Sequence, residues 1–295
     1  MKKVNAIDLS VVILNFNTKE LTRRCLATVL GSDLGRFTME VIVCDNGSTD
    51  GSYALLKKEF SGVTFIQNGK NLGFAAGNNP GIRASKGRYV LLLNTDTEVP
   101  KDTLRKMITF MDTHKEAGAS TAKILLPDGT MDPACHRGFP TPWVAFTYLT
   151  HLELLFPRSR LFGEYHQGYK DLSTVHDVDC IVGAFFFVRR EVIDAVGVLD
   201  EAYFMYGEDI DWAYRIRQAG WKILFNPEVT ILHFKKQSGR SHTDDTRKIQ
   251  TEIYFHTYNL LFYQKHYEKK YGLFLSFIVR MFYSIRIFML RRFSL

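Results

Sequence analysis

Residues 88–99 read RYVLLLNTDTEV: an unbroken apolar run from Tyr89 to Leu93, then Asn94, Thr95, Asp96 and Thr97. A strand that alternates apolar and polar residues keeps one wet face, whereas one that is apolar throughout is covered on both, as in a parallel sheet flanked by helices. Polar residues following such a run fall at the strand's carboxyl end, where open α/β sheets place their ligands. The segments to either side keep the same rhythm. Leu9 to Leu14 is a β-branched run, and Thr18 opens a helical spacing through Leu21, Cys25, Leu26 and Val29. Glu40 to Cys44 is a second strand signal ending in DNGSTDGS (45–52), Tyr53 to Phe60 reads as a helix and Val63 to Gln67 as a third strand. NGKNLGFAAGNNPGIRAS (68–85) is a Gly- and Asn-rich loop running into a helix. Strands alternating with helices predict an α/β fold with a mainly parallel central sheet flanked by helices, and place Asp45 and Asp96 at strand ends.

From about Ser120 the rhythm changes. KILLPDGTMD (123–132) looks like a hairpin, and His136 to Asp171 is rich in Phe, Tyr, His and Pro without a clear period. Strand, helix, loop, helix and strand then follow in turn between Asp179 and Phe234.

The chain has 295 residues, 46% hydrophobic, 14% aromatic and 23% charged, which excludes a disordered or collagen-like chain and allows a large core. Its cysteines, Cys25, Cys44, Cys135 and Cys180, form no CxxC pair. Neither a zinc ribbon nor a disulfide framework is expected, and a reducing cytosol fits. The start MKKVNAIDLSVVILNFN is charged, but its apolar stretch is short and broken by Asp8 and Asn15, so it reads as a first strand and not a signal peptide.

The formal charge of +7 is uneven, with Lys and Arg among aromatics in the last sixty or so residues. An anionic partner is implied there; no nucleic-acid-binding motif accompanies the charge, so none is expected to be DNA or RNA. Two C-terminal helices are predicted, Ile249 to Tyr267 and Leu273 to Arg292. In the second, a helical wheel sets Ser276, Arg280, Ser284 and Arg291 on one face and Ile278, Phe282, Ile285 and Met289 opposite. Arg280 and Arg286 near its centre would each cost roughly 3 kcal/mol in a membrane span. An interfacial helix on an anionic leaflet accounts for both features. The expected division is 1–240, in halves 1–119 and 120–240, followed by a helical membrane-associating segment 241–295.

Four sets of residues suggest chemistry. DNGSTDGS resembles a calcium loop only superficially, because Asp50 stands where that loop needs Gly and Leu56 where it needs Glu. Asp96 at a strand end suits a hard divalent cation shared with diphosphate oxygens, or equally the N-cap of a helix opening near Pro100, which Thr97 or Asp102 would serve as well. Glu208, Asp209 and Asp211 crowd the start of a helix in GEDIDWAYRIRQAG (207–220). Adjacent acids raise one another's proton affinity, a means of making a base, although a solvated acidic helix start paired with Arg215 or Arg217 is the plainer account. His233 in TILHFKKQSGR (230–240) becomes a metal ligand only if a second ligand joins it, and Lys235, Lys236 and Arg240 suit phosphates or simply a solvated loop.

The ordered set SVVILNFN, VCDNGSTDGS, NLGFAAGNNPGI, LLLNTDTEV, GAFFFVRREV, LDEAYFMYGEDIDWAYRIRQAGW and ILHFKKQS, spanning about residues 8 to 240, resembles the GT-A fold glycosyltransferases of family 2, particularly their bacterial rhamnosyltransferase-like branch. The resemblance implies an inverting transfer of a single sugar from a dTDP- or UDP-sugar, with a divalent metal, Mg2+ or Mn2+. It implies that Asp45 hydrogen-bonds the base and that Phe16, between Asn15 and Asn17, stacks on it. Asn71, Gly73 and Asn79 would line the nucleotide-sugar loop beside Asn94 and Thr95. Asp96 matches the last acid of the DxD metal motif and His233 a metal-binding histidine. Asp209 matches the catalytic base, with Glu208, Gly183 and Ala184 at the acceptor wall. The aperiodic stretch His136 to Asp171 would face the acceptor. Rhamnose from dTDP-rhamnose is one candidate donor group, and a polyprenyl-diphosphate-linked glycan at the cytosolic face of the plasma membrane the candidate acceptor, in cell-surface polysaccharide synthesis. Two departures matter: Asn94 replaces the first acid of DxD, and the QxxRW signature of processive synthases is missing, RQAGW being a faint echo. The alternative is a catalytically inactive scaffold that only binds a sugar nucleotide.

Overall fold

The computed structural model describes residues 7–235 and 245–292. Lys236, Arg240 and the division at 240/241 lie outside the described residues. β1 (Leu9–Asn15) is almost entirely buried and pairs in parallel with β2 (Met39–Asp45) on one side and β4 (Tyr89–Leu93) on the other. β3 (Thr64–Gln67) continues the parallel run beside β2. The crossovers are α1 (Lys19–Leu30), α2 (Ser52–Glu59) and α3 (Gly73–Ala84), close to the predicted spans. All five residues of β4 are buried, as an unbroken apolar run requires of a strand covered on both faces.

Beyond β4 the sheet is mixed, which corrects the expectation of a mainly parallel sheet for the second half of the fold. The order is β3-β2-β1-β4-β8-β6-β9-β5, with β7 also on β9. β8 (Phe185–Arg189) runs antiparallel to both β4 and β6 (Ala117–Leu125), while β6 is parallel to β9 (Lys222–His233). The short β5 (Thr97–Glu98) and β7 (His176–Asp177) are antiparallel to β9. The physical cause is the connection: the chain returns to the sheet through the aperiodic stretch before β8, not through a crossover helix. Both halves therefore share one sheet and one core. Phe185, Phe186 and Phe187 are fully buried there, with Trp212 tilted against Phe186 at 4.9 Å between centroids.

The predicted hairpin at 123–132 is a tight return, Leu126 N donating to Thr130 O at 2.8 Å. α4 (Thr103–Thr113) opens three residues past Pro100, after β5. The aperiodic stretch contains only the short helices α5 (Pro142–Leu149) and α6 (Leu152–Leu155). After β8 come α7 (Arg190–Val196) and α8 (Glu208–Gln218).

The C-terminal helices are α9 (Asp245–His266) and α10 (Glu268–Arg292), the latter broken at Gly272, whose φ of 76° and ψ of 170° leave the helical region. The helix proper thus starts at Leu273, as the sequence predicted. One assignment is corrected: Ser276, placed on the polar face, is not a water-facing residue. It is buried against α9 and hydrogen-bonded to the Tyr263 hydroxyl at 2.9 Å, with Tyr283 buried along the same side. Phe274, Phe277, Met281, Ile285 and Phe288 are exposed.

Candidate active site

The carboxyl ends of β1 and β4, the amino end of β8 and the first turn of α8 frame a cleft of about 900 Å³. Strand register fixes what meets in it. β5 turns back antiparallel to β9 so that Thr97 opposes His233, and Phe234 N donates to Asp96 O at 2.8 Å. This brings His233 Nε2 to 3.2 Å from Asp96 Oδ1. On the other side of the ring, His233 Nδ1 lies 3.2 Å from Asp132 Oδ2, and Lys235 donates to Asp132 Oδ1 at 2.8 Å.

Burial draws the His233 imidazole toward the neutral form, but hydrogen bonds to Asp132 and Asp96 outweigh it and raise the pKa to about 9. Burial likewise pushes the Asp132 carboxyl up, and His233 and Lys235 override it, holding Asp132 well below the carboxylate range. A carboxylate behind a histidine, fixing which nitrogen faces forward, is the usual outer support of a metal-binding imidazole. The Asp96–His233 spacing also suits neighbouring ligands of one ion bound at roughly 2.0–2.2 Å each. Among the described residues no three His, Cys, Asp or Glu side chains surround one point, so an ion held here would complete its shell from ligand oxygens and water. The donor set fits Mg2+ or Mn2+ shared with a diphosphate.

Across the cleft, two consecutive residues with positive φ, Tyr206 (70°) and Gly207 (91°), turn the chain sharply into α8. The left-handed region is costly for a bulky residue, roughly 1–2 kcal/mol, and such strain clusters at functional sites. The turn presents Glu208 and Asp209 to the cleft. Asp209 is largely buried, accepts from Arg137 Nη2 at 2.7 Å and from Ile210 N at 2.8 Å, and so has both oxygens fixed. Glu208 Oε2 is buried without a hydrogen-bond partner. Burial, then the neighbouring Asp209 charge, pushes the Glu208 carboxyl up to about 8, so at neutral pH it is an acid able to donate to a ligand oxygen.

A stability consequence follows. The unfolded chain releases the Glu208 proton near the ordinary value of 4.5, whereas the fold keeps it to about 8, so the wild-type fold loses stability as pH rises between those values. The slope is at most roughly 1.4 kcal/mol per pH unit. Glu208→Gln, neutral throughout, should flatten this window. Urea denaturation at pH 5.5 and 7.5 reads the effect; equal slopes for variant and wild type would remove Glu208 as its source.

Asp211 belongs elsewhere. It is fully buried, receives Arg215 Nε at 2.7 Å and lies 2.8 Å from His266 Nε2. The expected Arg215 pairing exists, but as a buried joint that ties α9 to α8 and not as a solvated helix start.

Phe16, Asn71, Gly73, Asn94 and Thr95 also line the cleft, as do Gly183 and Ala184, whose carbonyl takes Asn94 N at 3.1 Å. Phe16 is 41% exposed, an open ring at the cleft wall. Gly73, at φ 82°, admits no side chain: a Cβ there would lie 2.2 Å from Phe204 O. Of the other expected contact residues, Asp45, Asn15 and Asn79 stand behind the wall and Asn17 lies at the surface outside the cleft lining. Asp45 is fully buried, one oxygen taking Ser48 N at 2.9 Å and the other the Asn15 amide at 2.6 Å. Asn15 is spent on that network, and Asn17 at the surface accepts from Thr49 N at 2.7 Å. Asn79 is buried, donating to Leu199 O at 2.9 Å and Glu201 Oε1 at 2.8 Å. The residue that faces the cleft from the Asp45 turn is Asn46, whose amide donates to Asn71 Oδ1 and Gly73 O, each at 3.0 Å. Its place directly after a strand-end acid was the available signal. Arg137, Tyr165 and His166, also in the cleft, come from the aperiodic stretch, which offered none.

A parallel β-α half with a loop-lined cleft at its strand ends, extended by a mixed half that leads into the acidic helix start of α8, is a GT-A glycosyltransferase fold. Residues 10–197 match the sequence profile described as glycosyl transferase family 2, and the chain belongs to that family, in its rhamnosyltransferase-like part. Among relatives, the N-acetylglucosaminyl-diphospho-decaprenol L-rhamnosyltransferase of Mycobacterium tuberculosis (strain ATCC 25618 / H37Rv) is 29% identical over 212 residues, 68% of each chain. Rhamnosyltransferase WbbL of Escherichia coli (strain K12) is 27% identical over 68% of this chain and 75% of its own. Of solved structures, the mannosyltransferase PcManGT from Pyrobaculum calidifontis in complex with GDP-Man and Mn2+ superposes with a TM-score of 0.59 at 17% identity, covering 88% of this chain and 65% of that one.

Proposed function

We propose that this chain transfers a single sugar, with inversion, from a nucleotide diphosphate to a glycan or lipid-linked glycan acceptor, with a divalent metal held by Asp96 and His233. The observation that carries the reading is that one cleft holds both a fixed carboxylate, Asp209 on Arg137, and an Asp96–His233 pair. Phe16 stacks on the nucleotide end, and Asn46 holds the Asn71–Gly73 loop beside it. Arg137 holds and aims Asp209; Asp209 takes the proton from the acceptor hydroxyl as that oxygen attacks the anomeric carbon opposite the departing nucleotide diphosphate. When bound, the metal neutralises charge developing on the leaving diphosphate. Glu208, protonated, donates a hydrogen bond to a sugar oxygen. Names of the relatives favour rhamnose as the sugar and a polyprenyl-diphosphate-linked saccharide as acceptor; dTDP-rhamnose is the donor proposed with them. Incubation with a panel of dTDP-, UDP- and GDP-sugars plus Mn2+ or Mg2+ tests the reading. Metal-dependent consumption of one donor supports it, and none with any donor or acceptor points to the inactive-scaffold alternative.

α10 supports peripheral attachment at the cytosolic face. Among the described residues it is the one helix long and apolar enough to cross a membrane, with a mean hydropathy of 1.8 over its best window and 11% of that window buried. Its central Arg280 pairs with Glu268 at 2.5 Å and remains half-exposed, which suits a helix lying in the interface better than one spanning it. Removal of residues 273–295 is expected to shift protein from the membrane to the soluble fraction; a membrane-bound fraction unchanged from that of the full chain after a salt wash would refute the assignment.

A further inference from the structure

A second apolar surface lies outside the cleft and outside α10. Between residues 142 and 162, Leu154 is 72% exposed, Leu155 70% and Trp143 44%, and Phe146, Phe156 and Leu161 are exposed beside them. The patch is built and not frayed. Trp143 packs against Phe146 at 5.6 Å and Phe162 at 6.0 Å between centroids, Phe156 against Phe162 at 5.2 Å, and the Trp143 indole donates to Leu161 O at 2.8 Å. The sole acid of the stretch, Glu153, is turned inward and paired with His166 at 2.8 Å. The exposed formal charges left are the cations Arg158 and Arg160. Leucines projecting from the short helix α6, an amphipathic tryptophan at their margin and arginines with no exposed acid among them match the interfacial zone of an anionic bilayer.

The location supports the same partner. α5 abuts α9 and α10 around a small gap lined by Ala145, Leu149, Phe255 and Tyr283, so the patch sits on an element touching the exposed apolar helix. Tyr148 of α5, and His166 shortly after the stretch, line the cleft. We propose that the α5–α6 segment is a second membrane-insertion element, dipping into an anionic leaflet beside the cleft while α10 lies in the same surface. A water-filled path from bilayer to cleft is then unnecessary; this last consequence rests on the lipid-linked acceptor reading above, whereas the docking surface does not.

Trp143 is a built-in probe, since Trp212 is fully buried and Trp221 half-buried. The full chain is bound to vesicles of phosphatidylcholine and phosphatidylglycerol with and without brominated acyl chains. Expected are quenching of tryptophan emission by the brominated lipid, its disappearance in Trp143→Phe, and vesicle partitioning lowered about tenfold or more by Leu154→Glu with Leu155→Glu. Circular dichroism should be unchanged in both variants, and the Trp143→Phe control still binds vesicles. Vesicle binding with no quenching beyond that of Trp143→Phe would overturn the proposal while sparing α10. Absence of vesicle binding would overturn both. A concentration-dependent dimer in lipid-free solution, abolished by the double substitution, would assign the patch to a second copy of this chain instead. Donor consumption, measured without lipid, is independent of all three outcomes.

Discussion

Asp209→Asn is expected to lower turnover by about 10²- to 10⁴-fold, the range that a positioned general base contributes, while leaving the affinity for nucleotide donor within a factor of about two, since the hydrogen bonds of Asp209 run to Arg137 and Ile210 N and to none of the residues proposed for the nucleotide. Asparagine keeps the volume and one acceptor oxygen for Arg137 or Ile210 N, both of which Asp209 serves at 2.7 and 2.8 Å, but it cannot take a proton. The substitution also strips Arg137 of its buried counter-charge, and an uncompensated buried cation is costly, so thermal unfolding and donor binding are measured alongside to separate lost chemistry from lost fold. Turnover near the wild-type level would remove Asp209 from the mechanism. If Glu208→Gln then abolished it, the base would be Glu208, whose carboxyl already sits near 8.

The second large effect concerns the metal. Asn94 stands where the resemblance places an acid, so on the proposed reading Asp96 has one negative neighbour fewer and would depend on His233 to hold the ion. His233→Ala is expected to raise the Mn2+ concentration for half-maximal donor consumption by about 10- to 100-fold, nearly as much as Asp96→Ala. Asp132→Asn should give the lower end of that range, because it leaves the ligand in place and removes only the group that fixes its tautomer. Titration of Mn2+ against donor binding, by calorimetry in each variant, checks all three without relying on turnover. An unchanged metal requirement in His233→Ala would exclude the histidine as a ligand.

Much of this site was legible because it is local. The apolar run of β4 marks a doubly covered strand, and whatever follows it must sit at the strand's end; Asp96 needed no further information. GEDID gave the acids at the helix start for the same reason. Asp45 shows the limit. Strand and turn were correctly placed, yet a polar residue at a strand end may be turned to the ligand or folded under the turn, and only packing of the Asn15, Ser48 and Ser52 network decides that Asn46 faces the cleft and Asp45 does not.

What the sequence by itself determined, then, were the elements, the α/β class and the strand-end acids, since each follows from a periodicity or a turn spanning a few residues. Tertiary structure alone decided the partners: Arg137 for Asp209, 72 residues apart, and Asp132 for His233, 101 apart. Those meetings depend on Arg137 bridging to Cys180 and on β6 running parallel to β9, and hydrophobic pattern does not encode which buried strand edges pair. The charge and tautomer of each catalytic candidate are set by such neighbours, so the sequence named the groups and the fold gave them their chemistry.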